Sequence, residues 1–167
     1  MRAVLPIVLA LLPISALAQA SADPSCATAR PALPPELASW SRQTPVSAGL
    51  KPGDGATVEI GKAALVSLHP AKHLEFTPPA KVAADANGGT LALAVLKPGT
   101  YRVALGGAAW IDLIHEGKPV ASKAHGHAAR CAGIAKIVDF ALAPGNYTVQ
   151  LSGSAADTVA LLVARAG

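Results

Sequence analysis

The sequence predicts an all-β protein, an antiparallel β-sandwich of jelly-roll type, and three observations predict it. From Thr90 onward, apolar runs of strand length follow one another, separated by Gly, Pro and Asn turns. No amphipathic helical stretch intervenes, which argues against alternating strands and helices. The third observation is an internal echo: LKPGTYRVALGG at 96–107 recurs as LAPGNYTVQLSG at 142–153, an offset of 46. Both copies place Pro-Gly in a turn and alternate Tyr, Val and Leu along one face. Two copies are too few for a solenoid, so they predict two comparable hairpins of one sandwich, with Val103, Leu105, Val149 and Leu151 buried.

Taken in order, the chain opens on a signal-like segment, residues 1–20. Arg2 precedes an apolar run from Ala3 to Leu17, and Ala18-Gln19-Ala20 supplies the small residues of a cleavage site before Ser21. Pro6 and Pro13 break the run and nothing later approaches the ~20 apolar residues of a membrane span, so no span is expected in the mature chain. The expected location is the periplasm or the exterior.

Residues 21–55 read as a Pro-rich, irregular arm. Pro24, Pro31, Pro34, Pro35 and Pro45 fix φ and remove backbone donors. A single helical turn at Pro35–Ser41 fits, with Trp40 docking on the body. The sandwich domain is expected over 56–167. Its first strands are Thr57–Ile60 and Ala64–Leu68, joined at Gly61-Lys62. An irregular stretch from His69 to Gly89 follows, marked by Pro70, Pro78, Pro79 and the turn Asn87-Gly88-Gly89. Further strands are expected at Thr90–Leu96, Thr100–Leu105, Ala109–His115, Pro119–Lys123, Lys136–Leu142, Tyr147–Leu151 and Thr158–Val163. Glu116-Gly117 is a two-residue hairpin turn between two of them.

Composition limits the chemistry. The chain of 167 residues is long enough for one domain with a real core, and with only 4% aromatic residues that core must be largely aliphatic. Trp40, Trp110, Phe76 and Phe140 are its expected large anchors. The formal charge of +4 comes from lysines and arginines scattered singly, with no interleaved aromatics, which excludes nucleic acid as the expected partner. No Ser-His-Asp order, Gly-rich phosphate loop or Cys-x-x-Cys pattern is present.

The one chemically dense stretch is Ala109–Phe140, AWIDLIHEGKPVASKAHGHAARCAGIAKIVDF. It holds His115, His125, His127, Cys131 and Trp110. Two cysteines in an oxidising compartment most often pair, which predicts a Cys26–Cys131 bridge between arm and loop; the alternative is Cys131 as a thiolate metal ligand. His125-Gly126-His127 puts two imidazoles at i and i+2, on one side of an extended segment, where one ion could take both. His115 is the third candidate ligand, and Asp112 or Asp139 would stand behind the histidines. Imidazole with an optional thiolate suits Cu or Zn. The competing reading is a polar, glycine-hinged loop whose histidines bond to backbone. His69-x-x-x-His73 carries less, because Pro70 prevents a shared helical face.

The Pro-Gly turn followed by tyrosine resembles the small β-sandwich modules beside secreted bacterial peptidases, the pre-peptidase C-terminal domains, and supports the same fold. The longer run AWIDLIHEGKPVAS, AHGH, Cys131 and VDFALAPGNYT, covering Trp110 to Leu151, resembles a family of small exported bacterial proteins labelled homogentisate 1,2-dioxygenase. Its members have Gly-Pro after the His-Gly-His triplet, where this chain has Ala128-Ala129. The label implies a non-haem iron dioxygenase with Fe held by two histidines and a glutamate; the nearest glutamate here is Glu116. The residues by themselves favour a binding or accessory module of the cell envelope, with an envelope protein or a small ligand as partner. Transition-metal binding comes next and the iron dioxygenase is the alternative.

Overall fold

The computed structural model describes Cys26 and residues 31–80, 83–129 and 131–167. The signal segment, residues 1–20, lies outside them. Among the described residues, twelve strands form two packed sheets: β1 (Thr44–Ser47), β2 (Thr57–Val58), β3 (Ala63–Ser67), β4 (His69–Pro70), β5 (Asn87–Val95), β6 (Gly99–Leu105), β7 (Trp110–His115), β8 (Lys118–Pro119), β9 (Ser122–Gly126), β10 (Lys136–Leu142), β11 (Gly145–Ser154) and β12 (Thr158–Arg165). The first sheet runs β1-β3-β12-β6-β10-β9; the second runs β2-β5-β11-β7-β8, with β4 also on β5. The all-β sandwich is the fold.

Its sheets are mixed rather than purely antiparallel. The edge strands β1 and β2 pair parallel to β3 and β5, and all other ladders are antiparallel. The chain leaves β1, visits the second sheet at β2, and returns to the first at β3 in its original direction. Gly61-Lys62 therefore carries the chain between sheets. The arm is also more regular than its prolines suggest. Besides the expected turn, a 3-10 helix at Pro35–Ser41, it contributes β1, and Pro45 is accommodated because β1 lies at an edge of the sheet.

Alternating residues of both sheets meet in the main core, where Val103, Leu105, Val149 and Leu151 are fully buried as expected. A second, smaller core covers the outer face of the first sheet. Leu37 and Trp40 of the arm pack there with Ala63, Ala104, Ile134, Leu162 and Ala164. This explains why β12 reads as an unbroken apolar run: both of its faces are covered. Trp110 departs from expectation. It is 68% exposed, on the outer face of the second sheet, and is no core anchor.

The echoed segments are equivalent, but they are not hairpins. Pro98 lies between β5 and β6 and Pro144 between β10 and β11, and in each case the two strands belong to different sheets. Each Pro-Gly turn is thus an arch from one sheet to the other. Each arch is closed in the same way: Tyr101 donates its hydroxyl to the Lys97 carbonyl at 2.8 Å, and Tyr147 to the Ala143 carbonyl at 2.9 Å. Tyr147 Oη also accepts from the Ala143 N–H at 3.2 Å. Tyr101→Phe should cost about 1 kcal/mol in urea unfolding, and Tyr147→Phe more, because it leaves two backbone groups without their partner. Equal stability of both variants and the parent would remove the tyrosines from the framework.

Glu116-Gly117 does make the expected hairpin. With φ of 49° and 75° at these two residues, the turn has the left-handed conformation that fits two-residue loops, and β7 pairs with β8 through Ile114↔Pro119 and His115↔Lys118.

Candidate functional site

The single strand expected at Pro119–Lys123 divides in two. β8 stays on the second sheet, while β9 crosses to form the free edge of the first. His125 and Gly126 are therefore strand residues, and the loop proper begins at His127. Along β9 the register against β10 runs Gly126↔Ile137, His125↔Val138, Ala124↔Asp139 and Ser122↔Phe140. One extra residue, Lys123, is bulged out. Without the bulge Ser122 and His125 would point to opposite faces; with it both share the inner face with Val138 and Phe140. Ser122 Oγ lies 3.3 Å from His125 Nε2.

Ala124 and Gly126 take the outer face, where they border a cleft of about 470 Å³. One wall is the arm, with Leu33, Pro34 and Leu37; the other is the segment from His125 to Ala129. Ile137, Arg102 and Asp139 form the floor. The Cys26–Cys131 disulfide spans a sequence separation of 105 and ties the arm to the loop, so the two walls are covalently joined. Cys131 is thereby excluded as a thiolate ligand. The pairing also suits an oxidising compartment.

Arg102 organises the floor. Its Nε and Nη2 donate to Oδ1 and Oδ2 of Asp139 at 3.0 and 3.1 Å, and Nη1 donates to Glu36 Oε1 at 2.8 Å. The hydrogen bonds to Asp139 raise the guanidinium pKa, burial opposes them, and the two carboxylate charges add to the rise. Arg102 is thus fixed between two carboxyl groups, of which Asp139 lines the cleft with it and Glu36 braces it from the arm. Arg102 and Glu36 were not singled out from the sequence. The available signal was the charge interrupting each apolar run, Arg102 in TYRVAL and Asp139 in IVDFAL; only the β6–β10 register sets them opposite each other.

The expected ligand set is not assembled. His115 is the last residue of β7, on the second sheet, its ring stacked on Tyr147 at 4.5 Å and its Nδ1–H donating to the Asn146 carbonyl at 3.0 Å. His127 donates Nδ1–H to the Ala135 carbonyl at 2.9 Å. Asp139 is occupied by Arg102. Asp112 is paired in register with Gln150 on the outer face of the second sheet, where burial raises its carboxyl pKa. No three His, Cys, Asp or Glu side chains converge on a metal position among the described residues. The residues present do not fit the two-histidine, one-glutamate iron centre that the dioxygenase resemblance implies: Glu116 sits at the β7–β8 turn, next to His115 in the chain, and no three such side chains converge among the described residues. His69, for its part, bonds through Nε2–H to the Ala48 carbonyl at 2.9 Å.

No helix among the described residues is long and apolar enough to cross a membrane. The chain matches no protein-family model, and no curated protein matches it.

Proposed function

We propose that this protein is a periplasmic or secreted binding module, accessory to the cell envelope, which takes a small ligand in the cleft between the arm and the β9 loop. The observation that carries this reading is the cleft itself. Its volume of about 470 Å³ falls in the range of small-molecule sites, and its apolar walls stand over a few fixed polar groups, the usual division between affinity and orientation. The ligand chemistry that suits it is an apolar body with a polar end directed to Arg102 and Asp139.

The uncharged, environment-sensitive dye N-phenyl-1-naphthylamine is the probe for the test. Its emission should rise on binding to the parent protein, and Ala124→Trp, which fills the cleft from an exposed strand position, should abolish the rise without lowering the melting temperature. A response unchanged by Ala124→Trp would overturn the cleft. The metal reading is tested alongside, by titrating the parent and His125→Ala/His127→Ala with Cu(II) and Zn(II). Matching isotherms are expected, because each ring is held by its own partner; a steep loss in the double variant would assign the loop to metal instead.

A further inference from the structure

Trp110 is the chain's unexplained aromatic. Trp40, Phe76, Phe140, Tyr101 and Tyr147 are all buried, whereas Trp110 presents 68% of its surface. It stands toward an edge: β8 pairs with β7 at Ile114 and His115, and among the described residues no strand pairs with the Trp110–Asp112 end of β7 on that side. Beside it a cavity of about 130 Å³ opens between the two sheets, with Ser122 and His125 of the bulged strand among its lining residues and Val138 and Phe140 at its apolar side. Lys136 completes the surround. Its Nζ lies 5.0 Å from the Trp110 ring centre and donates to the Ala109 carbonyl at 2.7 Å, and an ammonium has three N–H groups.

We infer that Trp110, Lys136, Ser122 and His125 form a saccharide-binding site on the inner face of β9, adjoining the cleft, which His125 also lines. A pyranose has an apolar C–H face and a rim of hydroxyls. Lys136 Nζ lies over one face of the indole, and the ring offers the sugar the flat apolar surface that this ammonium leaves uncovered, with Ser122 Oγ, the His125 ring and the free N–H groups of Lys136 supplying donors and acceptors beside it. A protein partner would need a broad apolar surface around the tryptophan. The other exposed large hydrophobics, Leu50, Ile60, Leu65 and Leu96, do not line this cavity, and of its apolar lining Ile111, Val138 and Phe140 are buried, so the apolar surface presented around the indole is small and Asp112, Ser122, His125 and Lys136 are its polar neighbours. The bulge at Lys123 then has a purpose: it turns Ser122 to the same side as His125.

The test titrates the full chain with maltotriose, cellotriose and tri-N-acetylchitotriose while following tryptophan fluorescence. Trp40 is 5% exposed, so a sugar-induced change reports Trp110. At least one of the three is expected to shift the emission saturably. Calorimetric affinity for that sugar should fall at least about tenfold in Trp110→Ala, with Trp110→Phe retaining part of it and Ser122→Ala giving a smaller loss. Ala124→Trp should leave sugar binding intact, which keeps this outcome distinct from that of the cleft. Absence of any response to all three sugars overturns the site. So does binding that survives Trp110→Ala unchanged, since the sugar would then sit elsewhere.

Discussion

Replacing both cysteines, Cys26→Ser with Cys131→Ser, is expected to lower unfolding stability by roughly 4–5 kcal/mol. The crosslink closes a separation of 105 residues, and the entropy it removes from the unfolded chain grows with that length. The effect is also local. Without the bond the arm is held by the burial of Leu37 and Trp40 and by the Arg102–Glu36 ion pair, while the loop at Cys131 loses its tether. Urea titration followed by circular dichroism gives the stability, and dye binding in the cleft should weaken in the same variant. A loss below about 1 kcal/mol would mean that arm and loop hold their places by packing alone. Reduction of the parent under native conditions should reproduce the double substitution.

The second large effect is in the main core. Leu105→Ala and Leu151→Ala should each cost about 2–5 kcal/mol, because both side chains are fully buried and the rigid strands on either side cannot collapse into the space. Leu96→Ala removes the same atoms from a residue that is 84% exposed and should stay within about 0.5 kcal/mol of the parent. Chemical denaturation of the three variants makes the comparison. Equal losses at all three positions would contradict the packing of the two sheets.

The tyrosine arches show how far local pattern reaches. That Tyr101 and Tyr147 occupy equivalent places was legible, because Pro-Gly followed by alternating Tyr, Val and Leu specifies a turn entering a half-buried strand wherever it occurs. Whether the turn joins two strands of one sheet or arches between two sheets depends on what each strand pairs with, and no residue in LKPGTYRVALGG encodes that. Trp110 shows the same limit from the other side. It alternates correctly with Ile111 in β7, but both faces of a strand look alike until the second sheet chooses one of them.

What the sequence by itself determined was period and punctuation: the all-β class, most strand positions, the Glu116-Gly117 turn, the buried alternation at Val103, Leu105, Val149 and Leu151, and the pairing of the only two cysteines. These follow from interactions within a few residues, or, for the cysteines, from the tendency of two cysteines to pair in an oxidising compartment, which the structure bears out against the thiolate-ligand alternative. The tertiary structure alone decided that β9 breaks away to the first sheet, that a bulge at Lys123 brings Ser122 and His125 to one face, that Arg102 meets Asp139 and Glu36 beneath the arm, and that His115 stands apart from His125. Each of these depends on strand register across the sandwich, set by how two apolar faces pack together. Residues such as Arg102 and Glu36, far apart along the chain, become partners only once that packing has formed.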